Sequence, residues 1–223
     1  MKNNTIPELN GTLRSHMIFV PEVLSQVSGI RVFGRLIKSI VFTTDIAIIR
    51  NINADAVIAV YPFTPQPSIT HAIISSSSMP VFCGVGGGTT TGKRVINLAM
   101  DAEFQGAAGV VLNAPTSGEI VKKVSERVDI PVVITIVSEH EDVEARIEQG
   151  ADIINVSGAA RTAMIVDSIR RRYPTLPIIA TGGPTEESIL QTIEAGANAI
   201  TFTPPTNGQI FKGLMDKYRK ERE

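Results

Sequence analysis

Seven short apolar runs in this chain are led into by one of two signals, and the two signals alternate. Small-residue turns stand at Asn53-Ala54-Asp55, Gly106-Ala107-Ala108, Gly150-Ala151-Asp152 and Gly196-Ala197-Asn198. X-Pro steps stand between them, at Met79-Pro80, Ile130-Pro131 and Leu176-Pro177. With one more run at 38–43, the pattern predicts eight strands, each followed by a helical stretch.

The predicted strands are 38–43, 56–61, 81–85, 109–113, 132–137, 152–157, 178–181 and 199–203. They are β-branched and almost continuously apolar, as strands covered on both faces are. Helical spacing fills the gaps. Thr116 and Glu119 read as a capping box before Ile120, Val124 and Val128. Val143 and Ile147, Ile165 and Ile169, and Ile189 and Ile193 mark later helices. Glycines close two of them, and Glu186 and Glu187 supply acids to a first turn. The fold class expected is α/β, a single (β/α)8 TIM barrel at 38–223 with an N-terminal helical arm at 1–37. TIM barrels start at roughly 200 residues, so a chain of 223 must keep its loops short. An open doubly wound sheet is the other arrangement such a repeat allows. In the arm, 20–27 reads as helix and 30–33 as an apolar stretch. The arm is expected to lid the barrel's bottom; a dimer contact, making a homo-oligomer, is its other use.

Composition narrows the function. A net charge of −1 offers no basic field for nucleic acid, and no apolar run approaches the roughly 20 residues that span a membrane. Trp is absent and aromatics make up 5%, which argues against base-stacking platforms. One Cys excludes an internal disulfide, and the start lacks a signal-peptide core, so a cytoplasmic location is expected. His16, His71 and His140 have no ligand spacing, so no metal site is expected.

TIM-barrel chemistry sits at the carboxyl ends of the strands. There the chain offers Asp45, Tyr61, Cys83, Asn113, Glu139, His140, Asn155, Ser157, Thr181, Thr201 and Thr203. Period-two facing turns Thr135, Asn155, Thr201 and Thr203 inward. Amides and hydroxyls outnumber ionisable groups, which suits recognition of neutral or phosphoryl oxygens. Gly86, Gly87 and Gly88 open the glycine loop Gly84 to Gly92, which follows a strand and precedes a helix; its backbone N–H groups are expected to bind an anion or polar ligand. Gly87 to Lys93 matches G-x-x-x-x-G-K, but Arg94 replaces the Ser or Thr that would hold magnesium, which excludes a P-loop NTPase. Asp45 and Lys93 are expected as an acid–base pair, with Glu139 as a second carboxylate. Cys83 reads as small packing.

Pro177 to Gly183 followed by Gly196 to Ile200 resembles the strand-seven and strand-eight signature of ribulose-phosphate-binding, aldolase-type barrels. These include keto-deoxy-phosphogluconate aldolases, N-acetylmannosamine-6-phosphate epimerases and flavin-dependent nitronate monooxygenases. Val137-Ser138-Glu139 and Gly150 to Val156 are similar to the matching stretch of the last two. The resemblance implies a phosphate near Thr181, Gly182, Gly183 and Thr203, and FMN if the flavin family is the right one. Three departures stand beside it. Prolines 204 and 205 replace the usual Gly-Ser or Gly-Thr, strand six has no Schiff-base Lys, and the His-rich motif is absent. The expected function is a lyase or isomerase acting on a small phosphorylated carbonyl metabolite. An FMN-dependent oxidoreductase and a non-catalytic metabolite-sensing barrel are the alternatives.

Overall fold

A computed structural model describes residues 17–222, with residues 7, 9, 11 and 12. His16 and the first six residues lie outside the described residues. A short antiparallel hairpin, β1 (Ile30–Val32) and β2 (Arg35–Ile37), comes first. Eight parallel strands follow: β3 (Ser39–Phe42), β4 (Ala56–Ala59), β5 (Val81–Gly86), β6 (Gly109–Leu112), β7 (Val132–Ile136), β8 (Ile153–Val156), β9 (Ile178–Thr181) and β10 (Ala199–Phe202). They pair in chain order, and β10 returns to pair with β3, so the barrel is closed. The helices are α1 (Ile46–Arg50), α2 (Pro67–Ser76), α3 (Lys93–Phe104), α4 (Gly118–Ser125), α5 (Val143–Glu148), α6 (Thr162–Arg172), α7 (Glu186–Glu194) and α8 (Asn207–Lys220). This is the (β/α)8 barrel expected. None of the described helices is long and apolar enough to cross a membrane.

The alternating lead-ins have a physical basis at the base of the barrel. Proline cannot donate a hydrogen bond, so the strands that begin after Pro offer a carbonyl there instead. Val57, Val110 and Ile154 donate to the carbonyls of Pro80, Pro131 and Pro177. The acid or amide ending three of the four small turns reaches back to the strand before it. Asp55 Oδ2 accepts from the Lys38 and Ser39 N–H groups, Asp152 Oδ2 from Val132 N, and Asn198 Oδ1 from Ile178 N. Each staple satisfies an N–H that would otherwise open the ladder's end. Ala108 ends the fourth turn and carries no such group. Arg170 of α6 adds a hub, donating to the carbonyls of Gly196, Tyr173, Pro174 and Leu176 and to Asn198 Oδ1.

Two details of the sequence reading are corrected. Over the described residues 17–37 the arm's helical content is one 3-10 turn at Glu22–Gln26, and residues 30–37 form the hairpin. Ile30, Val32 and Ile37 of that hairpin are buried with Ile40, Phe82, Val133 and Ile153 in the barrel interior, so the hairpin fills the bottom of the bore. Thr116 does not cap α4. Its hydroxyl donates to Asn113 O at 2.7 Å, and Ser117 takes the cap position without a side-chain bond.

The inner layer changes character along the strands. Side chains facing the bore recur every second residue. They read Val133 then Thr135, Ile153 then Asn155 then Ser157, Ile179 then Thr181, and Ala199 then Thr201 then Thr203. The lower members sit in the apolar interior cluster, and the upper members line a cavity at the mouth.

Candidate functional site

The cavity at the barrel mouth measures about 280 Å³. Asn113, Thr135, Asn155, Ser157, Thr181, Thr201 and Thr203 supply its polar lining, over Phe42, Ile58, Val60 and Val111. Of the residues expected to bind ligand, Asn113, Asn155, Thr181 and Thr203 meet here. Asn155 is 8% exposed. Its Nδ2 donates to Thr135 Oγ1 at 3.1 Å, while its Oδ1 is buried and has no partner. Most of the other polar groups nearby are already engaged. Thr181 Oγ1 donates to Ser157 Oγ and Thr201 Oγ1 to Ala180 O, both at 3.3 Å.

A second cavity of about 260 Å³ lies beside the first and shares Val60 and Asn113 with it. Tyr61, Pro62, Phe63 and Pro65 line it together with Gly84, Gly86, Gly88, Thr89 and Thr90. Thr90 Oγ1 donates to Thr64 Oγ1 at 3.1 Å and ties the two loops together. Tyr61 stood among the strand-end residues read from sequence, but Phe63 did not. Its signal was the spacing of Pro62, Pro65 and Pro67, which stiffens the loop.

Asn113 is held from several sides. Its N–H donates to Gly86 O and its carbonyl accepts from Thr116. Arg146 of α5 donates to the carbonyls of Ala114 and Thr116 and so clamps the same turn. Gly87 is jammed against this turn. Its φ is +109°, and a β-carbon there would collide with Thr116 Oγ1 and lie 2.9 Å from Asn113 N. Its N–H donates to Thr90 O. Gly86 and Gly87 are therefore required by the loop's own geometry, whatever the loop binds. Gly88 differs: a β-carbon there meets nothing within 4 Å.

The acid–base trio does not assemble. Asp45 is the N-cap of α1, accepting from Ala47 and Ile48 N–H through Oδ1 and from Asn207 Nδ2 through Oδ2. Lys93 is exposed in the first turn of α3. Neither lines either cavity. Glu139 is paired with Arg161 through both carboxylate oxygens, at 2.7 and 2.8 Å. Its own peptide N–H, with the Arg161 and His140 charges, holds its carboxyl below the usual range against the partial loss of water. Burial pushes the Cys83 thiol up to about 12, which leaves no reactive thiolate.

The phosphate and flavin expectations also fall short. Gly182 N–H donates to Thr201 O, and a β-carbon on Gly182 would press on Ile200 Cγ2 at 2.7 Å. Gly182 is thus occupied by strand pairing and close packing. Prolines 204 and 205 bring no N–H, and no Lys or Arg stands among the described residues that line the mouth. These residues do not fit an FMN phosphate. A divalent cation fits no better. Hard cations take carboxylate-rich oxygen sets, the lining holds no carboxylate, and the described residues contain no group of three metal-ligating side chains.

No protein-family model matches the chain, and no curated protein matches it by sequence. Solved structures do match in fold. A 2,3-dimethylmalate lyase of the PEP mutase/isocitrate lyase superfamily superposes with a TM-score of 0.65 at 13% identity, over 95% of this chain and 86% of that one. A phosphonopyruvate hydrolase in complex with oxalate and Mg2+ gives 0.63 at 12%, over 86% and 84%. The phosphoenolpyruvate phosphomutase of Streptomyces platensis subsp. rosaceus gives 0.60 at 14%, over 81% and 80%. These neighbours show the (β/α)8 barrel fold. They do not support the three narrower families that the strand-seven and strand-eight signature resembles.

Proposed function

We propose that the chain is a lyase-type enzyme that takes a small hydroxy-carbonyl compound into the barrel mouth. One observation carries this reading: Asn155 lines the cavity, and its Oδ1 is buried with no donor. A buried polar atom left unpaired costs about 1–3 kcal/mol. A ligand hydroxyl seated against it removes that cost. The Ser157 and Thr203 hydroxyls line the same space and can donate to a carbonyl oxygen. The lyase class rests on the architecture shared with the 2,3-dimethylmalate lyase. A phosphate on the substrate is not part of this reading, because no Lys or Arg stands among the described residues that line the mouth.

A purely ligand-sensing barrel is the second reading, favoured by the neutral lining of the mouth. Hydroxyacetone is the probe that tests binding, followed through the side-chain amide signals of Asn155. Asn155→Leu should weaken it by about tenfold or more. Unchanged affinity in that variant assigns Asn155 to the structural core and removes the basis of the proposal. Binding without turnover, across a panel of hydroxy-carbonyl compounds, supports the sensor instead.

A further inference from the structure

The side cavity has features of a second compartment of the same site. It adjoins the mouth cavity at Val60 and Asn113, which line both. Each cavity alone falls slightly below the roughly 300 Å³ at which small-molecule sites begin, and a ligand occupying both would have a volume within that range. The two halves differ in chemistry. The mouth is ringed by amides and hydroxyls, whereas the side cavity has a wall of Tyr61, Pro62, Phe63 and Pro65. Phe63 is 74% exposed, an apolar ring held at the cavity's edge by a proline-stiffened loop. Such a wall is already rigid and has little entropy to lose when a ligand covers it.

Gly88 supplies the second observation. Gly86 and Gly87 have left-handed φ and crowded β-positions, so the loop itself demands glycine there. Gly88 has neither: its φ lies outside the left-handed region, and a β-carbon on it would meet open space. Any residue could stand there as far as the fold is concerned. Glycine here puts no side chain on the lining of the side cavity.

We infer that the side cavity binds a flat apolar substituent, an aryl or short branched chain, of the compound whose hydroxy-carbonyl end sits at Asn155. The inference rests on the reading of the mouth given above and adds the shape of the substrate to it. Gly88 and Phe63 are then specificity-determining residues. Neither touches the hydroxy-carbonyl end.

The test compares two probes by calorimetry: hydroxyacetone, and the analogue whose methyl carries a benzyl group. Burying an aromatic ring is worth about tenfold to a hundredfold in affinity, so the wild-type protein should prefer the benzyl analogue by that factor. Gly88→Leu fills the side cavity and should erase the preference while leaving hydroxyacetone affinity unchanged. Phe63→Ser, at an exposed position that cannot unfold the barrel, should reduce the preference severalfold. Equal wild-type affinity for the two probes overturns the inference, as does a preference that survives both substitutions. Failure of both probes to bind overturns the reading of the mouth itself, a result distinct from loss of the preference alone.

Discussion

At the base of the barrel, Asp55, Asp152 and Asn198 hold the N–H groups that start neighbouring strands, and Arg170 gathers four carbonyls. At the mouth, Asn155 keeps one amide oxygen buried and unpaired, and hydroxyls lean on one another at 3.3 Å. The bore follows the same division: hairpin residues Ile30, Val32 and Ile37 fill the bottom, and a cavity occupies the top. Unpaired buried polar atoms occur at the base too, on Gln105, Gln149 and Tyr173, but of these four residues only Asn155 lines a mouth cavity. The contrast teaches where a substitution should be felt, as folding free energy below and as binding above.

Gly87 is the strongest challenge to that division, because it lies at the top and yet belongs to the scaffold. Gly87→Val should cost about 4 kcal/mol or more, since it adds a β-branched side chain at positive φ against the 113–116 turn. A urea melt measures it; an unchanged midpoint would show that this turn can yield.

Arg170→Met comes next, with an expected loss of about 3 kcal/mol from stranding several partly buried carbonyls. Hydroxyacetone binding should not change. If binding falls with stability, the two ends are coupled and the contrast drawn above fails.

Asp152→Ala should cost about 1–2 kcal/mol by freeing the Val132 N–H. Thermal melting of the variant beside wild type reads the difference directly.

The smallest effect concerns Glu139. Its folded-state pKa is depressed, so its contribution is present above the unfolded value, about 4.3. That contribution is lost as pH falls through the folded value. Glu139→Gln should therefore unfold with a shallower loss of stability below pH of about 4 and differ little from wild type near neutrality. Identical acid-unfolding curves would show that the Arg161 pair is ornamental at the rim.

The barrel was legible from sequence because the alternating lead-ins are consequences of strand pairing, so they recur wherever a strand begins. The hairpin was not, because Val32-Phe33-Gly34-Arg35 makes a tight turn inside what reads as one apolar stretch. Within the site, Asn113, Asn155, Thr181 and Thr203 could be found by strand position and period-two facing alone. Asp45 could not be judged that way. An acid just past a strand is equally placed to work in a barrel mouth or to cap the following helix, and only the Ala47 and Ile48 N–H groups decide. Thr116 misled for a related reason, since its hydroxyl turns back to Asn113 O instead of forward to α4.

The staples at the base join residues close in sequence; Val132 and Asp152 are 20 apart, as are Ile178 and Asn198. Closing such short loops costs little chain entropy, so these strand pairs can lock early and independently. The β5–β6 pair has only Ala108 at the corresponding place, and its register shifts between Gly84 and Gly86. The missing staple makes the foot of this pair a seam, whose amides should exchange with solvent before those at the feet of the three stapled pairs. The seam runs upward into the glycine loop, so a ligand clasped there would act as the missing fastener, slowing exchange down the length of β5.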